Sequence, residues 1–285
     1  MSKETKSIII VSIGTAIWGG TFPLVKFLLN YVSADMIVAY RFLFSAIFAL
    51  PLFVIGLKKN KKSLLKLLLL SIILYAAYLT QTEGMKFTTS SKSGFITGLY
   101  VVFTPIVAVI MIKEKPPFKL ILSLIISLIG LALLSGITFN NFSLNKGDLL
   151  IVLCALLWAF QIVLTNISAK NTDANFITAA QMVIVFLLSL PLSGRNLFMP
   201  HPLIVWLGLA FLGIFAGYLA ILAETYSLKY IDPDRAAIIF TLEPVFAGLA
   251  SFVFLGETLT RKGIVGAIFI LVSMWIAISA KPQTE

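Results

Sequence analysis

Ten stretches of about 20 mostly apolar residues follow one another along this chain with only short polar connections, and that succession leaves few architectures open. An α-helix rises about 1.5 Å per residue, so each stretch is long enough to cross the roughly 30 Å hydrocarbon core of a bilayer. The segments lie near 7–29, 34–56, 64–82, 91–112, 119–136, 148–169, 174–193, 202–223, 233–255 and 262–280. Inside lipid every backbone N–H and C=O needs a partner within the protein, which a helix supplies and an open sheet edge does not. The expected fold is an all-α polytopic membrane protein of ten transmembrane helices. Composition agrees, with 59% hydrophobic and only 12% charged residues, against about 25% charged in soluble domains. Little chain remains for a soluble domain.

The net charge of +10 would suggest nucleic acid in a soluble protein. Here its distribution follows the membrane instead. With a cytoplasmic N-terminus, fourteen basic residues fall on the inward side and seven on the outward side, Arg41 lying within helix 2. That is a positive-inside bias, so both termini are expected in the cytoplasm and no nucleic-acid partner is expected. The basic run at 58–62 reads as a topology determinant. The first segment has no small-residue cleavage site and contains Trp18, Pro23 and Lys26, so it reads as a retained helix. Cys154 is the only cysteine, and His201, the only histidine, lies in an outward loop. Neither a disulfide nor a thiol or histidine metal cluster is expected, and no metal or other cofactor.

The chain also repeats itself. Trp18 and Trp158 are 140 residues apart, as are Pro51 and Pro191. Further on the offset becomes 143, pairing Tyr75 with Tyr218, Lys86 with Lys229, Glu114 with Glu257 and Lys119 with Lys262. Tryptophan and proline are scarce, at four and 11, and the matches keep their order. Two five-helix repeats are expected, 1–139 and 140–285. An odd helix number inserts the second copy upside down, and inverted repeats of this kind form transporters with a site between the halves near the midplane.

Several residues are candidates for that site. In helix 1, Trp18-Gly19-Gly20-Thr21-Phe22-Pro23 marks either a bent, tightly packed helix or a cavity wall carrying Trp18 and Thr21. Tyr75, Tyr78 and Thr82 share a polar-aromatic face of helix 3, near Gln81; this suits a wet cavity or an interfacial aromatic belt. Tyr100 of helix 4 is within reach of the interior, Trp158 and Gln161 of helix 6 are the repeat partners of Trp18 and Thr21, and helix 8 carries Tyr218. Glu243-Pro244 in helix 9 places an acid near mid-membrane beside the carbonyl of Phe240, which proline leaves without a donor. Glu243 serves either as structural glue or as a substrate or proton site. Arg41 is expected to snorkel or pair with Asp35, or else to bind an anionic group, and Glu224 to pair with Lys229. Glycine and serine stripes on helices 5 and 10 serve packing or a homodimer.

The ordered features Leu242-Glu243-Pro244-Val245-Phe246, Leu255-Gly256-Glu257, the glycine-bearing helix from Gly263, and in the first copy Trp18-Gly19-Gly20, Phe103-Thr104-Pro105-Ile106 and Ile112-Lys113-Glu114, resemble the drug/metabolite transporter superfamily, specifically its ten-helix EamA-type members. The first copy departs from the pattern: nine residues separate Pro105 from Glu114, against 13 from Pro244 to Glu257, and Lys113 stands where Gly256 does. The resemblance implies a central cavity lined by helices 1, 3, 4, 6, 8 and 9, alternating access, and movement of amino acids or small metabolites.

The reading is then of a plasma-membrane secondary transporter, expected to export a small polar metabolite such as an amino acid, and not of an enzyme. Trp18, Tyr78, Tyr100, Trp158 and Tyr218 supply stacking and cation–π surface. Thr21, Gln81 and Gln161 supply hydrogen bonds and Glu243 a protonatable group, with protons a candidate coupling ion. No G-x-x-x-x-G-K-[ST] motif for direct use of ATP is present. A facilitative channel or lipid-linked flippase is the alternative, and an intramembrane enzyme a more distant one.

Overall fold

The computed structural model describes residues 1–113, 116–135, 145–193, 201–247, 249 and 260–280. Every regular element among them is helical. α1 (Lys3–Gly19) and α2 (Thr21–Leu28) form the first span, α3 (Ala34–Lys59) the second, and α4 (Leu64–Gly84), entered through a 3-10 turn at Lys61–Ser63, the third. α5 (Ser90–Thr97) and α6 (Tyr100–Ile112) make the fourth and α7 (Phe118–Ser135) the fifth. α8 (Lys146–Ala169) and α9 (Ala174–Ser193) are the sixth and seventh. α10 (Leu203–Phe211), a π-helical segment at Leu212–Leu219 and α11 (Ala220–Ser227) run on as the eighth. α12 (Pro233–Phe240), a short helical piece at 243–247, and α13 (Arg261–Ser279) complete the described chain.

Eight of these runs are long and apolar enough to cross a membrane, and Phe118–Leu134 is a shorter apolar helix beside them. Of the span expected near 233–255, residues 248 and 250–259 lie outside the described residues, as do Glu114, Gly256 and Glu257 of the repeat comparison. The spans turn large apolar side chains outward, Ile47, Ile110, Leu187 and Trp275 among them. Such side chains are at home against lipid tails and would be a liability in water. Their ends are fixed by local chemistry. Asn145 and Asp148 form a reciprocal capping box at the start of α8, and Thr260 accepts from Gly263 N at 3.1 Å to open α13.

Five of the packed helix pairs form a regular set. α3 lies against α9, α4 against α8, α1 against α11, α6 against α12 and α7 against α13. With α12 and α13 numbered as the ninth and tenth spans expected from the sequence, these pairs are 2–7, 3–6, 1–8, 4–9 and 5–10. Exchanging every span with the one five places along returns the same five pairs.

The small-residue stripes of the fifth and tenth spans face each other within the chain. A Cβ at Gly130 would lie 2.8 Å from the carbonyl oxygen of Gly266, and one at Gly266 only 2.6 Å from that of Gly130. The glycines are there so that two backbones can touch.

Candidate functional site

Among the described residues three spans break, and each break is bracketed by two residues of one cavity. The first span breaks at Gly20, between Trp18 and Thr21; the fourth at Gly98-Leu99, between Thr97 and Tyr100; the one begun by α12 at Thr241-Leu242, between Phe240 and Glu243. At the last two breaks the ladder tightens to i−3 bonds, Thr241 N to Ile238 O at 3.1 Å, Leu242 N to Ile239 O at 3.0 Å and Leu99 N to Ile96 O at 3.1 Å. In such turns side chains three apart eclipse, so both members of a pair face the same way. The causes are local: Pro244 cannot donate to Phe240 O, and glycine stabilises helix poorly at positions 20 and 98.

The cavity holds about 430 Å³ of space and is also lined by Arg41, Tyr78, Gln81, Trp158, Ile162 and Glu224. Aromatic rings form its frame. The Trp18 ring lies 6.0 Å from Trp158 and 5.6 Å from Phe240, Tyr78 lies 5.2 Å from Trp158, and Tyr100 lies 6.2 Å from Phe240. Within this frame sit three ionisable side chains. The Arg41 guanidinium is stacked over Tyr78 at 4.2 Å, and its Nη2 donates to Ala216 O at 3.2 Å. Glu224 is 1% exposed, and no donor reaches either carboxylate oxygen, although Gln161 is the polar side chain facing it. Glu243 is half-buried and opens on the cavity; among the described residues no hydrogen bond holds its carboxylate. Arg41 Nε and Tyr78 Oη are likewise buried without a hydrogen-bond partner. Unmet polar groups of this kind cost about 1–3 kcal/mol each, so a cluster of them around one hollow points to something polar that fills it.

The π-helical segment explains part of this arrangement. In it Gly213 O accepts from Ser45 Oγ at 2.7 Å, and Ala216 O accepts from Trp18 Nε1 at 2.8 Å as well as from Arg41. Segments of this kind loosen the regular ladder and turn carbonyls outward. A side chain at Gly213 would collide with Phe44 and the backbone of Arg41, so its absence lets α3 and the eighth span approach closely.

Seven of the nine residues expected at the site line the cavity: Trp18, Thr21, Tyr78, Gln81, Tyr100, Trp158 and Glu243. Two do not. Gln161 is fully buried and donates to Thr165 at 3.2 Å, and Tyr218 is half-buried against the hydrophobic core from within the π-helical segment. The structure corrects two other expectations. Arg41 makes no ion pair with Asp35, nor Glu224 with Lys229, and both charges turn into the cavity. Lys26 Nζ donates to Met85 O at 2.6 Å and Thr88 O at 2.8 Å, clamping the end of α4.

The model of the EamA-like transporter family matches this chain twice, over residues 5–136 and 145–279. The chain belongs to that family. Relatives include an "Uncharacterized transporter" of Archaeoglobus fulgidus, 30% identical over 91% of this chain and 82% of its own length. Another is the "Uncharacterized transporter YyaM" of Bacillus subtilis, 28% identical over 95% of this chain and 93% of its own. A protein of known crystal structure, 17% identical, shares the fold with a TM-score of 0.78 over 96% of both chains. This EamA-family protein is therefore a multi-pass membrane transporter, and its buried polar cavity is the place to look for cargo.

Proposed function

We propose that this EamA-family protein is a secondary-active carrier that exports a small polar metabolite, an amino acid or a related compound, by alternating access. One observation carries the reading: an aromatic frame holds Arg41, Glu224 and Glu243 with hydrogen-bonding capacity to spare. One basic and two acidic groups suit a molecule bearing both an amine and an acid, the rings offering cation–π contact to the amine. The protein is read as a carrier rather than an enzyme, seated in the plasma membrane with both termini in the cytoplasm.

The helix pairing supports two inverted repeats divided near residue 140, because a twofold relation between repeats must preserve neighbour pairs. Alternating access then follows from rocking one half against the other around the cavity. Protons are the candidate coupling ion, with Glu243 as the acceptor. A homodimer through the fifth and tenth spans would use their outward sides, such as Ile125 and Trp275, since the glycine sides are already occupied.

The test is flux in proteoliposomes loaded with amino acids, with and without a pH gradient, comparing the natural protein with Glu243→Gln. Saturable exchange that loses its gradient dependence in the variant is the expected result. Unchanged rate and unchanged gradient dependence would remove Glu243 from the mechanism, and non-saturable flux would favour a channel.

A further inference from the structure

A second cavity, separate from the central one, opens on the side of the bundle. It is a groove of about 660 Å³ between α1, the start of α9 and the eighth span, lined by Lys6, Ile10, Asn175, Leu219, Leu222 and Tyr226 among others. We propose that this groove binds one anionic phospholipid from the leaflet on the Lys6 side, its phosphate at Lys6 and an acyl chain along Ile10, Leu219 and Leu222.

The groove has a polar end and an apolar end, in the order a lipid requires. Lys6, Asn175 and Tyr226 lie at helix ends, where the first turn of α1, the first residues of α9 and the last turn of α11 meet the membrane surface. From Tyr226 to Leu219 the eighth span descends about 10 Å, which takes the groove from headgroup level into hydrocarbon. It is open to lipid, since Leu219 is 41% exposed and Lys6 and Asn175 are exposed. At its inner wall the helices touch where a Cβ on Gly14 would lie 3.3 Å from that of Ala223, so the groove is shallow on that side and cannot run through to the central cavity.

Charge selects the headgroup. Lys6 Nζ stands 6.0 Å over the Tyr226 ring and Lys3 Nζ 5.7 Å over the Tyr230 ring, two cations presented on a tyrosine platform. The neighbouring acids are engaged elsewhere. Glu4 accepts from Arg235 at 2.6 Å, Asp232 lies 3.9 Å from the same guanidinium, and Asp173 accepts from the N–H groups of Asn175 and Phe176. Asp173 faces the start of its own helix, so the charges presented along the groove are those of Lys3 and Lys6, with aromatic rings at the depth where they favour the headgroup layer. A zwitterionic lipid fits the apolar wall equally well and gains less from the lysines.

The test is thermal unfolding of the full protein in neutral detergent, titrated with phosphatidylglycerol, with phosphatidylcholine of the same acyl chains, and with glycerol phosphate. A ligand that binds the native state raises Tm with occupancy. The expected result is a rise with phosphatidylglycerol at lower concentration than with phosphatidylcholine, and none with glycerol phosphate. Lys6→Gln should move the phosphatidylglycerol midpoint up about 5-fold, the worth of one basic side chain at an anionic surface. Ile10→Trp, which fills the groove, should abolish the response to both lipids. A chain with all four lysines of 58–62 changed to glutamine should keep it. An unchanged midpoint in Lys6→Gln, equal potency of the two lipids, a full response to glycerol phosphate, or loss of the response in the 58–62 variant would each overturn the assignment. Because no cargo is involved, the outcome is independent of the proposed transport activity.

Discussion

The adjacent glycines of the first span make a sharp test, because the structure gives them different tasks. A methyl group on Gly19 would stand 2.7 Å from Phe246 Cβ, 2.8 Å from the carbonyl oxygen of Glu243 and 2.9 Å from Ala247 N. Ordinary contact begins at 3.4 Å, so the shortfall, 3.4 less 2.7, is 0.7 Å, and two of the three obstructing atoms are backbone. The first span and the 243–247 piece must part, and they cannot do so by turning one side chain. Overpacking of this kind costs about 1–3 kcal/mol, which for a chain of this size is roughly 3–10 °C in Tm. Gly20 is the control, for the nearest heavy atom to a methyl there is Ile17 O at 3.9 Å. Gly20→Ala should be neutral or, by favouring helix across the break, slightly stabilising. The assay is thermal unfolding in detergent followed by intrinsic fluorescence, to which Trp18, beside the substitution, contributes. Equal Tm values for Gly19→Ala and Gly20→Ala would refute the claim that Gly19 sets the approach of the two segments, and with it the account of how Glu243 is placed.

Three further outcomes follow from the same reasoning. Glu224→Gln should keep or raise stability, by up to about 1 kcal/mol, because a neutral amide of the same shape replaces a buried acid, while transport falls about 10-fold, the trade expected where a site is kept costly for function; a Tm measured beside proteoliposome flux checks both. Lys92→Met removes the ion pair of Asp148, whose side chain is 0% exposed and 2.7 Å from Lys92 Nζ, and leaves it the capping bond from Asn145 N, so it should cost about 1–2 kcal/mol; Lys92→Met combined with Asp148→Asn should recover at least half of the lost Tm. Lys113 ends α6 at φ 66, so Lys113→Gly should stabilise by about 1 kcal/mol, measured by the same thermal unfolding.

Much of the architecture can be read in the chain because lipid imposes a length and a polarity that no soluble context would. Breaks are legible as well, since Gly19-Gly20 and Glu243-Pro244 act on the backbone wherever they occur. The seven lining residues share a simple signature: they are aromatic, acidic or hydrogen-bonding residues in or beside apolar spans. Arg41 and Glu224 carry the same signature, yet each has a nearer opposite charge along the chain, Asp35 and Lys229. Which way a helix turns such a residue depends on rotation about its axis, and tertiary contacts such as the Arg41–Ala216 bond decide that. Tyr218 is expected at the site and lies off the cavity for a related reason. It lies within Leu212–Leu219, where the π-helical turn shifts the angular phase that helical spacing assumes. Gln161 pairs with Trp158 at helical spacing and still ends against Thr165, one turn farther along.

One carbonyl, that of Ala216, is gripped at once by Trp18 from the first span and by Arg41 from the second. The eighth span is thus pinned like an axle between two bearings, one aromatic and one cationic. Any twist that frees the indole also loosens the guanidinium, so the ring wall and the charge of the chamber change in a single stroke.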